Sequence, residues 1–199
     1  MPNAPTTRRR PAYGRILAAA TDLFYERGIA ATGIDAVIEH AGVARKSLYN
    51  NFASKDELIA AVIEQRHHQW LEFYRTRLDA AGPSPHDRVL AVFDAYADHA
   101  ESDGACFRGC GLLNSAAEFP ADSPPRAQVS RHKQEVEDLL QTAVRPACPS
   151  GEIAQATAAH LSFLLEGAMT RSGLDGTTAH LHRARAIAEQ IVRHADTTA

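Results

Sequence analysis

The chain has little cysteine, methionine or tryptophan: three, two and one residues respectively among 199. Cys106, Cys110 and Cys148 are an odd number in a chain of this size, which argues against a disulfide framework and for a reducing compartment. No run of some 18 or more apolar residues appears, and the opening MPNAPTTRRRPAY lacks the apolar core of a signal peptide, so a cytoplasmic protein is expected. Also missing are Gly-x-Ser-x-Gly, a phosphate-cradling Gly-rich loop, a nucleotide fingerprint, His-Glu-x-x-His and Cys-x-x-Cys. Catalysis therefore has no support, no cofactor is called for, and the ten histidines read as scattered surface residues rather than metal ligands.

What is present is a hydrophobic content of 45%, ordinary for a globular protein with a core, and a segregated charge. Residues 1–55 hold eight Lys or Arg against four carboxylates, a net +4, whereas the remainder holds 13 against 20, a net -7. A basic head on an acidic body suggests that the head meets a polyanion.

Hydrophobic spacing predicts helices throughout and no strand, an all-α fold. Ile16, Leu17, Ala20, Leu23 and Phe24 form one stripe that Gly28 terminates. Thr32 can cap a second short helix with inward Ile34, Val37, Ile38 and Ala41, closed by Gly42, where a left-handed backbone is easiest. A third helix is expected over Arg45 to Phe52, anchored by Leu48 and Phe52 and too short to be stable undocked. Ser54 opens a fourth as far as Ala81, and GPSP at 82–85 breaks the chain before a fifth ending near Asp103-Gly104. A sixth lies within CFRGCGLLNSAAEFP, a seventh runs from Pro124 to Pro146, and periodic stretches at Ala154–Met169 and Leu181–Val192 complete the set.

Helix, Gly turn and short polar helix are the parts of a helix-turn-helix, whose second helix enters the major groove. With Val43 and Leu48 locking the pair, Arg45, Lys46, Ser47, Tyr49, Asn50 and Asn51 are left to face outward or flank the groove. Arg and Lys can pair with guanine and Asn with adenine, while Tyr49 and Lys55 are better placed for phosphates. Arg8, Arg9 and Arg10 form a basic arm that could reach the minor groove or act only by general attraction. The competing reading of 41–58 is a solvated helical hairpin with a charged face.

The stretch TGIDAVIEHAGVARKSLYNNFASKDEL resembles the DNA-binding signature of the tetracycline-repressor-like (TetR/AcrR) family of transcription regulators. The resemblance rests on Thr32, Ile34, Ile38, Ala41, Gly42, Val43, Leu48, Tyr49, Phe52, Lys55 and Leu58, with LFYERG at 23–28 also typical. It implies a three-helix DNA-binding domain, a helical domain that binds ligand and dimerises, and repression relieved by a small molecule. It also places Thr32, Lys46, Ser47, Tyr49 and Lys55 at the DNA. Ala44 stands where the family usually has a capping Ser, a loss of about 1 kcal/mol of helix capping, and Lys46 where a Gly is common. The expected organisation is a flexible basic arm at 1–12, a helix-turn-helix domain at 13–56, and an effector-binding and dimerisation domain at 57–199.

In the second domain Trp70, Phe73, Tyr74, Phe93, Tyr96, Phe107 and Phe163 supply aromatic surface for an apolar pocket, with Asn114 and Glu118 as polar groups in apolar company. Ala154, Ala158, Leu161, Leu165 and Ala168 with Leu181, Ala184, Ile187, Ala188 and Ile191 have a/d-like spacing, expected to form a four-helix dimer face across a two-fold axis. The expected partners are palindromic operator DNA, an unidentified effector and a second copy of the chain, with no membrane. Two alternatives stay open: a thiol-redox-responsive regulator using Cys106 and Cys110, and a helical small-molecule-binding protein that has ceased to bind DNA.

Overall fold

A computed structural model describes residues 11–104 and 107–197, so that Arg8, Arg9, Arg10 and Cys106 lie outside the described residues. Within them the chain forms α1 (Pro11–Arg27), α2 (Ile34–Ala41), α3 (Arg45–Tyr49), α4 (Lys55–Ala80), α5 (Pro85–Ser102), α6 (Gly111–Ala117), α7 (Pro124–Val144), α8 (Gly151–Asp175) and α9 (Ala179–Thr197). A 3-10 turn over Arg145–Ala147 joins α7 to α8, and no strand occurs among the described residues. The all-α expectation holds.

Side chains set the helix starts. The Ser54, Ser84 and Ser150 hydroxyls accept from the N–H groups of Glu57, Asp87 and Ile153 at 3.1, 3.1 and 3.2 Å, satisfying donors that the first turn of a helix leaves unpaired. Pro85 then occupies the first turn of α5, where its missing N–H costs nothing.

Two apolar clusters organise the molecule. The first joins Ile16, Leu23, Val37, Leu48, Phe52 and Leu58 of the N-terminal helices to Leu112 of α6 and Val129 of α7. The second gathers Trp70, Val89, Phe93, Tyr96, Leu140, Leu161, Leu165 and Leu181. Helix α4 belongs to both, contributing Leu58 to Ile63 to the first and Trp70 and Tyr74 to the second.

Three local expectations are corrected. Thr32 does not cap α2: its residue is 1% exposed and its hydroxyl donates to the carbonyls of Gly28 at 2.7 Å and Leu23 at 3.3 Å, while Gly33 takes the cap position without a side-chain bond. Helix α3 ends at Tyr49, before Phe52, although Phe52 remains a core anchor. The proposed dimer stripe is mostly interior: Ala154, Ala158, Leu161, Leu165, Ala168, Leu181, Ala184 and Ala188 are buried within the single chain. Ile187 is 38% exposed and Ile191 half-buried. Periodicity identifies an apolar face but not whether the same chain covers it. Outward on α8 stand Phe163 and Leu174, 69% and 77% exposed, with Gly167 between them facing open space.

Candidate DNA-binding face and effector cavity

The turn between α2 and α3 is made by Gly42, at φ 59° and ψ 43°, whose N–H donates to the Glu39 carbonyl at 3.2 Å. Val43 N–H closes the bend onto the Ile38 carbonyl at 3.2 Å. A Cβ at that left-handed φ would be strained, so glycine suits the turn. Leu48, fully buried, then pins α3 against the head. Ala44 caps α3 without a side-chain bond, as its lack of a hydroxyl requires.

With Leu48 inward, Arg45, Lys46 and Tyr49 are exposed on α3, Ser47 is half-buried, and Asn50, just past its end, is exposed. Arg45 pairs with the exposed Asp35 of α2, which holds little energy in water. Three expected contacts face elsewhere. Asn51 donates from its amide to the Ser47 carbonyl at 2.7 Å, finishing its own helix. Lys55 donates to the Ile29 carbonyl at 2.6 Å and lies 5.9 Å from the Phe24 ring centre, bracing the loop after α1 rather than pointing outward. Thr32 is buried, as described above.

Behind the head, α4, α5, α6, α7 and α8 line a partly open cavity whose free space, about 20 Å³, admits a water-sized group. Of the residues expected to form a pocket, Trp70 and Tyr96 line it, and Phe73 lines an adjoining open cleft. Tyr74, Phe93 and Phe107 belong to the apolar core instead. Phe163 faces solvent, and Asn114 donates to the Arg108 carbonyl at 3.0 Å. Sequence reasoning missed Arg66, His99, His132 and Lys133, which also bound the cavity. The readable signal was position: Arg66 lies one turn before Trp70 on α4, and Lys133 three residues before the buried Val136 on α7.

The cations are paired from behind. Arg66 donates through both terminal nitrogens to Asp103, at 2.8 and 3.2 Å, and Lys133 donates to Glu166 at 2.7 Å and the Tyr96 hydroxyl at 3.2 Å. Burial works against the Lys133 charge, but Cys110, Tyr96 and Glu166 outweigh it and raise its pKa. The His67 and His132 rings stack at 3.9 Å, and His132 Nε2 sits 3.2 Å from Glu64. Burial and the charge of His67 hold the His132 pKa below its ordinary value. Several polar atoms here, Arg66 Nε, Trp70 Nε1, His99 Nδ1 and His132 Nδ1, are buried without a hydrogen-bond partner among the described residues. Each such atom costs about 1–3 kcal/mol of lost hydration.

Burial, followed by the Arg66 charge, pushes the His99 pKa down to about 4 from an ordinary 6.5. The folded state thus prefers neutral His99, and the unfolded chain takes up the proton first as pH falls. Stability is complete above pH 6.5 and is expected to fall by about 1 kcal/mol per pH unit between 6.5 and 4. Denaturant titrations across that window check this, with His99→Gln flattening the slope.

The segment that walls the cavity also grips the head. The Tyr25 hydroxyl of α1 accepts from Arg108 N–H at 2.6 Å and donates to the Gly109 carbonyl at 3.1 Å. The Arg108 guanidinium donates to the carbonyls of Tyr25, at 2.9 Å, and Glu26. At the other end of α6 the Glu118 carboxylate accepts from Ile29 N–H at 2.8 Å and Ala30 N–H at 2.7 Å. Glu118, expected in the pocket, instead fastens α6 to the loop between α1 and α2. Between these ends Gly111 packs on the Arg66 guanidinium, which lies 4.6 Å from the Tyr25 ring centre. Burial pushes the Tyr25 pKa up to about 12, so its hydroxyl keeps its proton.

A glycine-hinged helix pair with an exposed polar second helix, carried on a larger helical body, defines a helix-turn-helix DNA-binding regulator. Residues 16–62 match the family model described as "Bacterial regulatory proteins, tetR family", and residues 85–188 that described as "Tetracyclin repressor-like, C-terminal domain". The chain belongs to the TetR family of transcriptional regulators, which are not enzymes. It is 33% identical over 95 residues to the HTH-type transcriptional activator FasR of Mycolicibacterium smegmatis, covering 48% of this chain and 43% of that protein. It is 32% identical over 94 residues to the HTH-type transcriptional repressor KstR2 of the same organism, covering 46% and 45%. These matches thus span under half of either relative. The TetR-family regulator SCO4454 from Streptomyces coelicolor superposes with a TM-score of 0.84 at 28% identity, covering 93% of this chain and 96% of that one.

Proposed function

We propose that the protein is a homodimeric repressor of transcription that grips a palindromic operator through α3 and is released when a small molecule opens the cavity behind α6. Residues 13–56 would form the DNA-binding head and 57–199 the effector-binding and dimerisation body of a cytoplasmic regulator. Arg45, Lys46, Ser47, Tyr49 and Asn50 are the groups offered to DNA, with Tyr49 on phosphate. One observation carries the ligand response: the segment from Arg108 to Glu118 both bounds the cavity and is bonded to α1 and the loop after it. The partly open cavity has free space for about one water-sized group, so a larger ligand binds only a widened form. That differential affinity is what a ligand needs to shift a population. No described helix is long and apolar enough to cross a membrane.

The stripe of Phe163, Gly167 and Leu174 on α8, with Ile187 on α9, supports self-association, since isolated exposed aromatics are ordinary but a row at helical spacing is a face. Changing Phe163 and Leu174 together to Glu is expected to yield monomers in light scattering, without loss of helix content. The repressor reading is checked by transcription in vitro from DNA upstream of the protein's own reading frame, where added protein is expected to lower transcript yield. A rise would favour activation, the property named for FasR. Small molecules freed by denaturing the purified protein are expected to release that DNA when added back; their failure would sink the ligand response.

A further inference from the structure

We infer that the cavity behind α6 takes a small molecule with an anionic oxygen head group, a carboxylate on a flat apolar body, received by Arg66 Nε and Trp70 Nε1. The inference rests on the proposed effector response and names the chemistry of its site. Both donors come from one face of α4, a turn apart, and both residues are more than nine-tenths buried. Neither nitrogen has a partner among the described residues, and both side chains line the cavity. Neither can act as an acceptor, so the group they receive must present lone pairs.

The permanently charged side chains that line the cavity are cations, although each is paired with a carboxylate behind it. The lining includes Arg66 and Lys133 and no carboxylate, because Asp103 and Glu166 hold those cations from outside the lining. The larger cleft alongside sets Asp22, Glu72 and Asp103 against Arg66 and His99, so carboxylates outnumber its one permanent cation and an anion fits the cavity better than the cleft. Tyr96, Val136 and Met169 supply the apolar wall, and an unbranched methionine repacks readily when the space widens. A carboxylate drawing on Arg66 acts on the group that touches both Gly111 of α6 and the Tyr25 ring of α1, which connects head-group capture to the DNA-binding head.

Isothermal titration of the full chain with 2-naphthoate, 2-naphthamide and naphthalen-2-ylmethylammonium tests this. Naphthoate is expected to bind at least about tenfold more tightly than either other probe, as a charge-assisted bond to two waiting donors implies. Trp70→Phe keeps an aromatic ring and removes an unpartnered N–H, so it is expected to weaken naphthoate by roughly tenfold while circular dichroism shows the helices retained. Gly111→Ala, whose Cβ would stand 2.9 Å from Arg66 Nε, is expected to weaken it likewise. No binding of naphthoate, equal binding of the amide or the ammonium, or indifference to both substitutions overturns the assignment. DNA binding is followed in parallel: absence of operator binding without any probe sinks the regulator's proposed action, whereas naphthoate bound without DNA release upholds the site and sinks ligand relief.

Discussion

Changing Arg45, Lys46 and Tyr49 together to Ala is expected to weaken operator binding by roughly a hundred- to ten-thousand-fold, from three contacts at about 1–2 kcal/mol each. The melting temperature should hardly move. All three side chains are exposed, the Arg45 pair with Asp35 lies in water, and the fully buried Leu48 does the docking. Fluorescence anisotropy across a salt series separates their roles. Loss of a phosphate contact lowers affinity for every sequence and flattens the salt dependence, whereas loss of a base contact narrows the gap between operator and random DNA. A triple variant that binds operator normally would remove α3 from the interface.

The second large effect concerns stability. Asp103→Ala is expected to cost about 3 kcal/mol, because it strands the Arg66 guanidinium in a site with little access to water. The side chains of Arg66 and Asp103 are only 9% and 13% exposed. The comparison is Asp98→Ala, which breaks the pair with Arg77 on the surface, where the Arg side chain is 45% exposed. There the expected loss is at most about 1 kcal/mol. Thermal unfolding of both variants decides: at this chain length each kcal/mol moves the midpoint by roughly 2–4 °C, so the buried pair should show a drop several times larger. Equal drops would mean that burial does not govern the Arg66 pair.

The elements that the sequence disclosed are those set by local chemistry. Gly42 and Val43 announce the bend because a left-handed residue followed by an apolar one can do little else there, and Ser54 marks the start of α4 through a bond to a residue three positions on. What stayed hidden depends on residues far apart in the chain. Arg66 reads as a surface residue of α4 until Asp103, 37 positions later, folds beside it, and Glu118 reads as a polar pocket group until Ile29 and Ala30, 89 and 88 positions away, arrive with their N–H groups. Spacing marks the stripe on α8 and α9 as apolar, but it shows neither that most of the stripe is covered within the chain nor that Phe163 stands exposed outside the pocket. Thr32 and Lys55 carry polar atoms that pattern alone cannot orient, and both bond backbone carbonyls of the head itself.

The claim on which the rest depends is that α3 places its polar side in the major groove of duplex DNA. Hydroxyl-radical footprinting of the full chain on DNA upstream of its own reading frame tests it most directly. The expected result is a pair of protected tracts related by dyad symmetry, one or more helical turns apart on one face of the duplex, and lost in the Arg45, Lys46 and Tyr49 triple-alanine variant. Protection without symmetry, or protection that survives the triple variant, would contradict it.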